Sequence, residues 1–493
     1  MTSDDDERVK RTSTATLVQH VLSRHAVLST ANLVVSTILL WRAARAVTTP
    51  SFVSFVLGWP ASELAHVLLS LQIVNLAVIH ALNPALFTSS LIGQAALLVN
   101  AWSASVFARA VRMHWRARAN FAVPMMDQGR IAQTAGSSLP LRLAAFIPLM
   151  SVVRRFRTVR RMRNVPYSSL EVTDPTMHLR VSSEPQIMRV LNAAALRGAQ
   201  THWNALDVIA MPGLPANSPV LMYVHGGGWM LGDKFVAASA MLQRLASRGI
   251  VVFSINYRMA PETAFPGQII DVKRALIWVK RNCARYNGDA RKVFVSGESA
   301  GGHLSALTAV TVNLPQFQPP EDPQADTSIA GAIPLCGVFD CSDRNGHLFD
   351  LHRDVPALLK PQGDRSFLQS FMERVVLQTA FHLNEAAFDN ASPTWHAMQM
   401  AKRSDDAKLC PLMVVHGTHD ALTSLEDARE FVKQVRAVRA RFGTWAPGEA
   451  DIFVDVEEGH HAFGYFPSPR AMALADATFD FVAHHARRID RAA

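Results

Sequence analysis

The chain has 493 residues, 49% of them hydrophobic and 18% charged, with a formal net charge of +9. So much apolar content excludes a disordered chain and suffices for one large domain with an appendage. Four cysteines, Cys283, Cys336, Cys341 and Cys410, show no CxxC or Cys/His spacing, which argues against a disulfide framework or a Cys/His metal site, and no organic cofactor is implied by any motif in the chain.

The charge is uneven. Residues 1–170 carry 18 Lys/Arg against 6 Asp/Glu, whereas the rest carry 31 against 34. The basic third brackets long apolar runs, which points to a membrane rather than to nucleic acid. Residues 1–24 read as a charged tail, and Asp4, Asp5, Asp6 and Glu7 spoil a cleavable signal peptide. Residues 25–110 read as an apolar helical region. The 45 residues between Glu63 and Arg109 contain no Asp, Glu, Lys or Arg. That run suits two crossings, 64–82 and 85–108, broken at Asn83-Pro84. The run 25–41 is shorter and reads as a third span or an interfacial helix. A two-span hairpin puts Arg8, Lys10, Arg11, Arg24, Arg42 and Arg45 on the same side as Arg109, Arg112, Arg116 and Arg118, hence the bulk of the chain in the cytoplasm. Polar residues His66, Gln72, Asn75, His80 and Asn100 keep a soluble helical bundle as the alternative. Residues 111–179, with RRFRTVRRMR at 154–163, read as a basic juxtamembrane linker.

From about residue 180 the pattern changes. Apolar strand-like runs at 206–212, 219–226, 250–257, 291–297, 329–339, 409–417 and 450–458 alternate with helical patterns at 235–248, 269–286 and 305–313. This predicts an α/β fold over 180–493: a mostly parallel sheet with helices on both faces. Residues 342–400, helical and rich in Leu and Phe, read as a cap insertion. Function gathers at the C-terminal ends of such strands.

Those ends carry HGGGW (225–229), GESAG (297–301), GTHD (417–420) and GHH (459–461). Ser299 sits between strand and helix as a nucleophile elbow, with Gly297 and Gly301 leaving room for the turn. A serine needs a base, and the base needs a carboxylate. Asp420 ends a strand and is the candidate acid; Glu426 and Asp427 fall in the next helix and read as solvated. His460 and His461 both suit the base by spacing. The backbone amides of Gly227, Gly228 and Ala300 are candidate oxyanion donors. His225, Gly226 and Trp229 complete the glycine loop and read as shaping it. His303, His416 and His419 read as structural.

HGGGW, NYRMAPETAFP with Asp271, GESAGG, a late aspartate and HAF together resemble the hormone-sensitive-lipase-like branch of the serine α/β-hydrolases, over roughly residues 180–490. GGHLSALTAV followed by PEDPQADTSIAGAIPLCGVFD further resembles membrane-associated lipases and esterases of mycobacteria. The resemblance implies Ser299, Asp420 and His461 as a triad, His461 being the histidine followed by Ala462 and Phe463. It also implies a structural role for Tyr257, Arg258, Pro261 and Pro266. Glu298 stands where many relatives have Asp, and the second aspartate that usually follows the acid is missing from ALTSLEDARE. The implied activity is hydrolysis of carboxylic, lipid-derived esters. A membrane-linked amidase or deacetylase and an isoprenylcysteine methylesterase-like enzyme are chemically close. A non-catalytic ligand receptor of the same fold would lack the base, whereas His461 stands in a full motif.

Overall fold

A computed structural model of the chain describes residues 27–45, 61–126, 159–168, 203–235, 239–347, 367–402, 409–442 and 451–492. The tail 1–24, most of the expected linker and residues 348–366 of the expected cap lie outside the described residues. The described residues fall into two compact units, one ending at Arg112 and one starting at Met113.

The first unit contains helices α1 (Val27–Arg45) and α2 (Ala65–Leu82) and the start of α3 (Leu91–Met126). Among the described residues these three helices are long and apolar enough to cross a membrane. Residues 27–41 of the short run thus continue through Arg42 to Arg45 in one helix, both arginines accommodated at its end. The break at Asn83-Pro84 falls where expected, between α2 and a short helix Ala85–Ser89.

The burial in this unit is inverted relative to a water-soluble bundle. Leu71, Ile73, Val74, Val78, Leu91 and Leu98 are exposed, Leu91 by 84%. Of the polar residues that favoured a soluble bundle, His66, Gln72 and Asn100 are buried and Asn75 half-buried, while His80 is exposed. Gln72 Nε2 donates to Asn100 O at 2.8 Å and to Asn100 Oδ1 at 2.9 Å. Asn100 Nδ2 donates to Thr37 Oγ1 at 2.6 Å. Asn75 Nδ2 donates to Ser36 Oγ at 3.1 Å, and Asn32 Nδ2 to Asn75 Oδ1 at 3.0 Å. A polar seam inside an apolar exterior is the packing expected of helices solvated by hydrocarbon.

The second unit is built on an eight-stranded sheet: β1 (Arg160–Pro166), β2 (Ala205–Ala210), β3 (Ser218–Val224), β4 (Val251–Ile255), β5 (Gly288–Glu298), β6 (Gly331–Leu335), β7 (Leu412–Gly417) and β8 (Asp451–Val456). Their order is β1-β2-β4-β3-β5-β6-β7-β8. β2 runs antiparallel to both β1 and β4, and all other pairs are parallel. This is the mostly parallel sheet anticipated from the strand–helix alternation, arranged in the α/β-hydrolase fold that the family resemblance implies.

Successive side chains of a strand face opposite sides, so each central strand feeds two cores. Val220, Met222 and Val224 join one apolar cluster, Leu221 and Tyr223 the other. The first cluster is closed by helices α5 (Gly267–Asn282), α6 (Ala300–Val310) and α8 (Leu425–Phe442), through Leu276, Leu304 and Phe431. The second is closed by α4 (Ser239–Ala246) and α9 (Pro469–Ala492), through Leu245 and Phe481. Each fully buried side chain of this size contributes about 1.5–3 kcal/mol.

Three boundaries differ from expectation. The second unit begins upstream of residue 180, because Arg160–Pro166, part of the basic cluster, is an edge strand. Arg161 Nε donates to the buried Asp207 carboxylate at 2.8 Å, and the guanidiniums of Arg161 and Arg163 lie over the Phe235 ring. Those partners satisfy a strand whose composition reads as a charged tract. The expected insertion 342–400 is also narrower. Its last part forms α7 (Pro393–Lys402), which packs on α6 and α8 as the crossover helix that parallel strands β6 and β7 require. The helix expected at 305–313 begins earlier, at Ala300, directly after Ser299.

Candidate active site

Ser299 stands at the junction of β5 and α6, half-buried, at φ 60° and ψ −120°. A non-glycine residue in that region costs about 1–3 kcal/mol and persists only where its surroundings impose it. Here they do. A Cβ on Gly301 would lie 2.0 Å from Val224 O, and one on Gly297 would lie 2.4 Å from the same oxygen. The two glycines let strand and helix approach closely enough to force the turn. Gly301→Ala is therefore expected to lower the thermal unfolding midpoint, by a destabilisation of about 3 kcal/mol. Gly213→Ala, where nothing lies within 4 Å of the added carbon, is the contrasting case, its cost limited to about 1 kcal/mol of backbone strain.

The imidazole of His461 reaches Ser299 from the turn after β8. Its Nε2 lies 2.8 Å from Ser299 Oγ and its Nδ1 lies 2.8 Å from Asp420 Oδ2. Asp420 follows β7 and is buried. Its Oδ1 accepts the amides of Leu422 and Thr423, each at 2.9 Å, and its Oδ2 accepts the Thr423 hydroxyl at 2.9 Å. Burial alone would raise this carboxyl. The charges of His461 and His416, with the hydrogen bonds from His461 and the Thr423 amide, outweigh it and hold the group well below the usual carboxylate range.

The structure separates the residues that spacing left open. The ring of His460 packs edge-on against His419, with centroids 5.8 Å apart. Glu426 is exposed and pairs with Arg429. Asp427, expected to be solvated, is buried and bonds His347 Nδ1 at 2.7 Å. Burial pushes its carboxyl up to about 7, against the pull of His347.

The loop after β3 curls beside the serine. Gly227, Gly228 and Trp229 have φ of +117°, +60° and +56° in succession. A Cβ on Gly227 would meet Leu231 O at 2.1 Å, so this position is closed to any side chain. The ring of Phe371 lies 3.6 Å from where a Gly228 Cβ would stand, which brings the cap segment over the loop. Ala300 opens α6, where the first amides have no acceptor inside the helix. His225 is buried under this loop, stacked on Tyr257, its Nδ1 2.8 Å from Gly226 O. Burial pushes it down to about 4, against that bond, so it is neutral and donates through Nδ1. Trp229 Nε1 donates to His303 Nδ1 at 3.1 Å, and His303 Nε2 lies 2.7 Å from Ala391 O. His303 is also pushed down to about 4 by burial; its neutral ring ties the glycine loop to the helix before α7.

Arg258 binds Asp271 through its backbone amide and guanidinium, at 2.8–2.9 Å, which fixes the NYRMAP stretch behind the loop. Two residues near the site carried no motif signal, Thr423 beside Asp420 and Tyr465 beside Gly226, while His416, read as structural, also lies beside Asp420. Only their proximity to the acid and base in sequence could have suggested them. Among the described residues no group of three or more His, Cys, Asp or Glu could hold a metal ion. The four cysteines are free thiols.

Residues 206–435 match the BD-FAE family. The chain is 36% identical over 236 residues to esterase LipC of Mycobacterium tuberculosis, covering 48% of this chain and 51% of that protein. It is 34% identical over 282 residues to the probable carboxylic ester hydrolase LipM of the same organism (57% and 58%), and 30% identical over 281 residues to esterase LipQ (57% and 59%). The chain thus spans only between half and three fifths of the length of these relatives. A solved carbohydrate esterase from gut microbiota aligns with a TM-score of 0.48 at 17% identity, covering 66% of this chain and 96% of that one. Sheet order, motifs and matched relatives agree that the second unit has the α/β-hydrolase fold and is similar in sequence to the hormone-sensitive-lipase-like serine hydrolases, the mycobacterial esterases among them.

Proposed function

We propose that the chain is a serine carboxylesterase that hydrolyses lipid-derived esters through an acyl-enzyme, with Ser299 as nucleophile, His461 as general base and Asp420 as its orienting acid. The observation that carries this reading is the relay of two 2.8 Å hydrogen bonds from Ser299 through His461 to Asp420. The names of the matched relatives, esterases and a carboxylic ester hydrolase, support it.

In this reading His461 Nε2 takes the serine proton as Oγ attacks the ester carbonyl. The carbonyl oxygen becomes an oxyanion held by the amides of Gly227, Gly228 and Ala300. Protonated His461 then passes its proton to the leaving alcohol, and water repeats the sequence to release the acid. Asp420 keeps Nδ1 protonated, so Nε2 presents its lone pair to the serine. A series of p-nitrophenyl esters of increasing acyl length, assayed with the full chain, tests both the activity and the lipid-like substrate. Turnover confined to the acetate would discard the lipid assignment, and no turnover of any member would discard the esterase.

The inverted burial of the first unit supports a membrane location, with α1, α2 and α3 as three spans. Three crossings leave Arg42, Arg45, Arg109, Arg112, Arg116 and Arg118 on the side of the catalytic unit. Opposite them lie Arg8, Lys10, Arg11 and Arg24, offset by four acidic residues. The positive-inside rule again puts catalysis in the cytoplasm, but the N-terminal tail outside. Protease added to spheroplasts is expected to remove an N-terminal tag while sparing the catalytic unit. Protection of both would restore the two-span arrangement.

A further inference from the structure

The turn that carries the general base also reaches the loop that would hold the oxyanion. His461 is followed by a short 3₁₀ turn, Phe463–Tyr465, that is pinned at two successive residues. The Gly464 amide donates to Glu298 Oε1 at 2.9 Å, and Glu298 immediately precedes the nucleophile. The hydroxyl of Tyr465 accepts the amide of Gly226 at 3.0 Å.

Gly226 is a sensitive place to hold. A Cβ there would lie 2.5 Å from Glu298 O and 3.1 Å from Ser299 Cβ, so its backbone sets how near the glycine loop comes to the nucleophile. The three residues after it all have positive φ. On the far side the loop is held by the bonds of Met230 and Leu231 to Gly227 O, of Ala260 to Trp229 O, and of Trp229 to His303. On the side facing the base, the phenol is what grips it. Tyr465 is half-buried, and desolvation of its hydroxyl with the nearby Glu298 charge raises the phenol, which stays protonated and neutral.

We infer that Tyr465 is a positioning residue that sets the oxyanion donors against Ser299 by holding the Gly226 amide, and so couples base and oxyanion loop through one hydroxyl. The inference rests on the esterase reading above. Tyr465→Phe keeps the ring and removes the acceptor. With rates normalised to active sites titrated by a fluorophosphonate, kcat is expected to fall about tenfold. That is less than the 10²–10³-fold loss typical of deleting an oxyanion donor outright. KM should stay within about twofold, because the contact matters when charge develops on oxygen. Affinity for a trifluoromethyl ketone, which adds to the serine as an oxyanion, should fall in parallel with kcat. A purely structural tyrosine would lower the titrated active fraction and leave both values unchanged; that result overturns the inference. If Tyr465→Phe does not accumulate, 3,5-difluorotyrosine at 465 keeps the size and weakens the oxygen as an acceptor. A partial fall in kcat then supports the role, and none overturns it. Ester turnover surviving Ser299→Ala would instead remove the parent reading, whereas its loss with an unaffected Tyr465→Phe removes only this one.

Discussion

Ser299→Ala is expected to lower kcat on ester substrates by about 10⁴- to 10⁶-fold while leaving the fold intact. The alanine keeps the strained elbow but removes the Oγ that lies 2.8 Å from His461. With no hydroxyl to acylate, the remaining rate comes from substrate binding and the polarising amides alone. The companion measurement is covalent labelling by a fluorophosphonate probe, which should vanish in the variant. Wild-type labelling or turnover in Ser299→Ala would place the nucleophile elsewhere and dismantle the mechanism.

Asp420→Asn should cost about 10⁴-fold in kcat, by a different route. Two amides, Leu422 and Thr423, already donate to Oδ1 of residue 420. An asparagine must keep its carbonyl oxygen toward those donors, which turns its NH₂ toward His461. The imidazole then has to accept at Nδ1 and carry its hydrogen on Nε2, facing Ser299 with a donor where the reaction needs an acceptor. The variant should fold and bind ester while failing to acylate. The check is single-turnover acylation, and a loss below about tenfold would mean that Asp420 does not set the tautomer.

The candidate site was legible in the sequence wherever a backbone constraint leaves a residue-type signature. Gly297 and Gly301 are required by their approach to Val224 O, and HGGGW by its run of positive φ. Central strands were legible because burial on both faces demands unbroken apolar runs. What escaped depends on contacts with residues distant in sequence. RRMRNVP reads as a charged tract until Asp207 and Phe235 supply partners for its arginines. Asp427 reads as a surface residue of a helix until His347 meets it. The polar residues of α2 and α3 count against membrane insertion one by one and favour it once bonded to each other and to α1. Tyr465 belongs to no motif, because its partner is a backbone amide 239 residues away.

The edge strand has a practical consequence for isolating the second unit. A recombinant fragment trimmed to the start of the recognisable homology, near residue 180, would discard β1 and leave β2 as a bare margin. The amides and carbonyls that β1 satisfies would become a template for pairing with other copies, and Asp207 would lose the arginine that neutralises it. Ala117 and Phe121, on the last turns of α3, also sit in the core behind the sheet. Proteolysis or truncation that respects the fold must therefore cut N-terminal to Met113, inside what hydropathy alone would assign to the lipid phase.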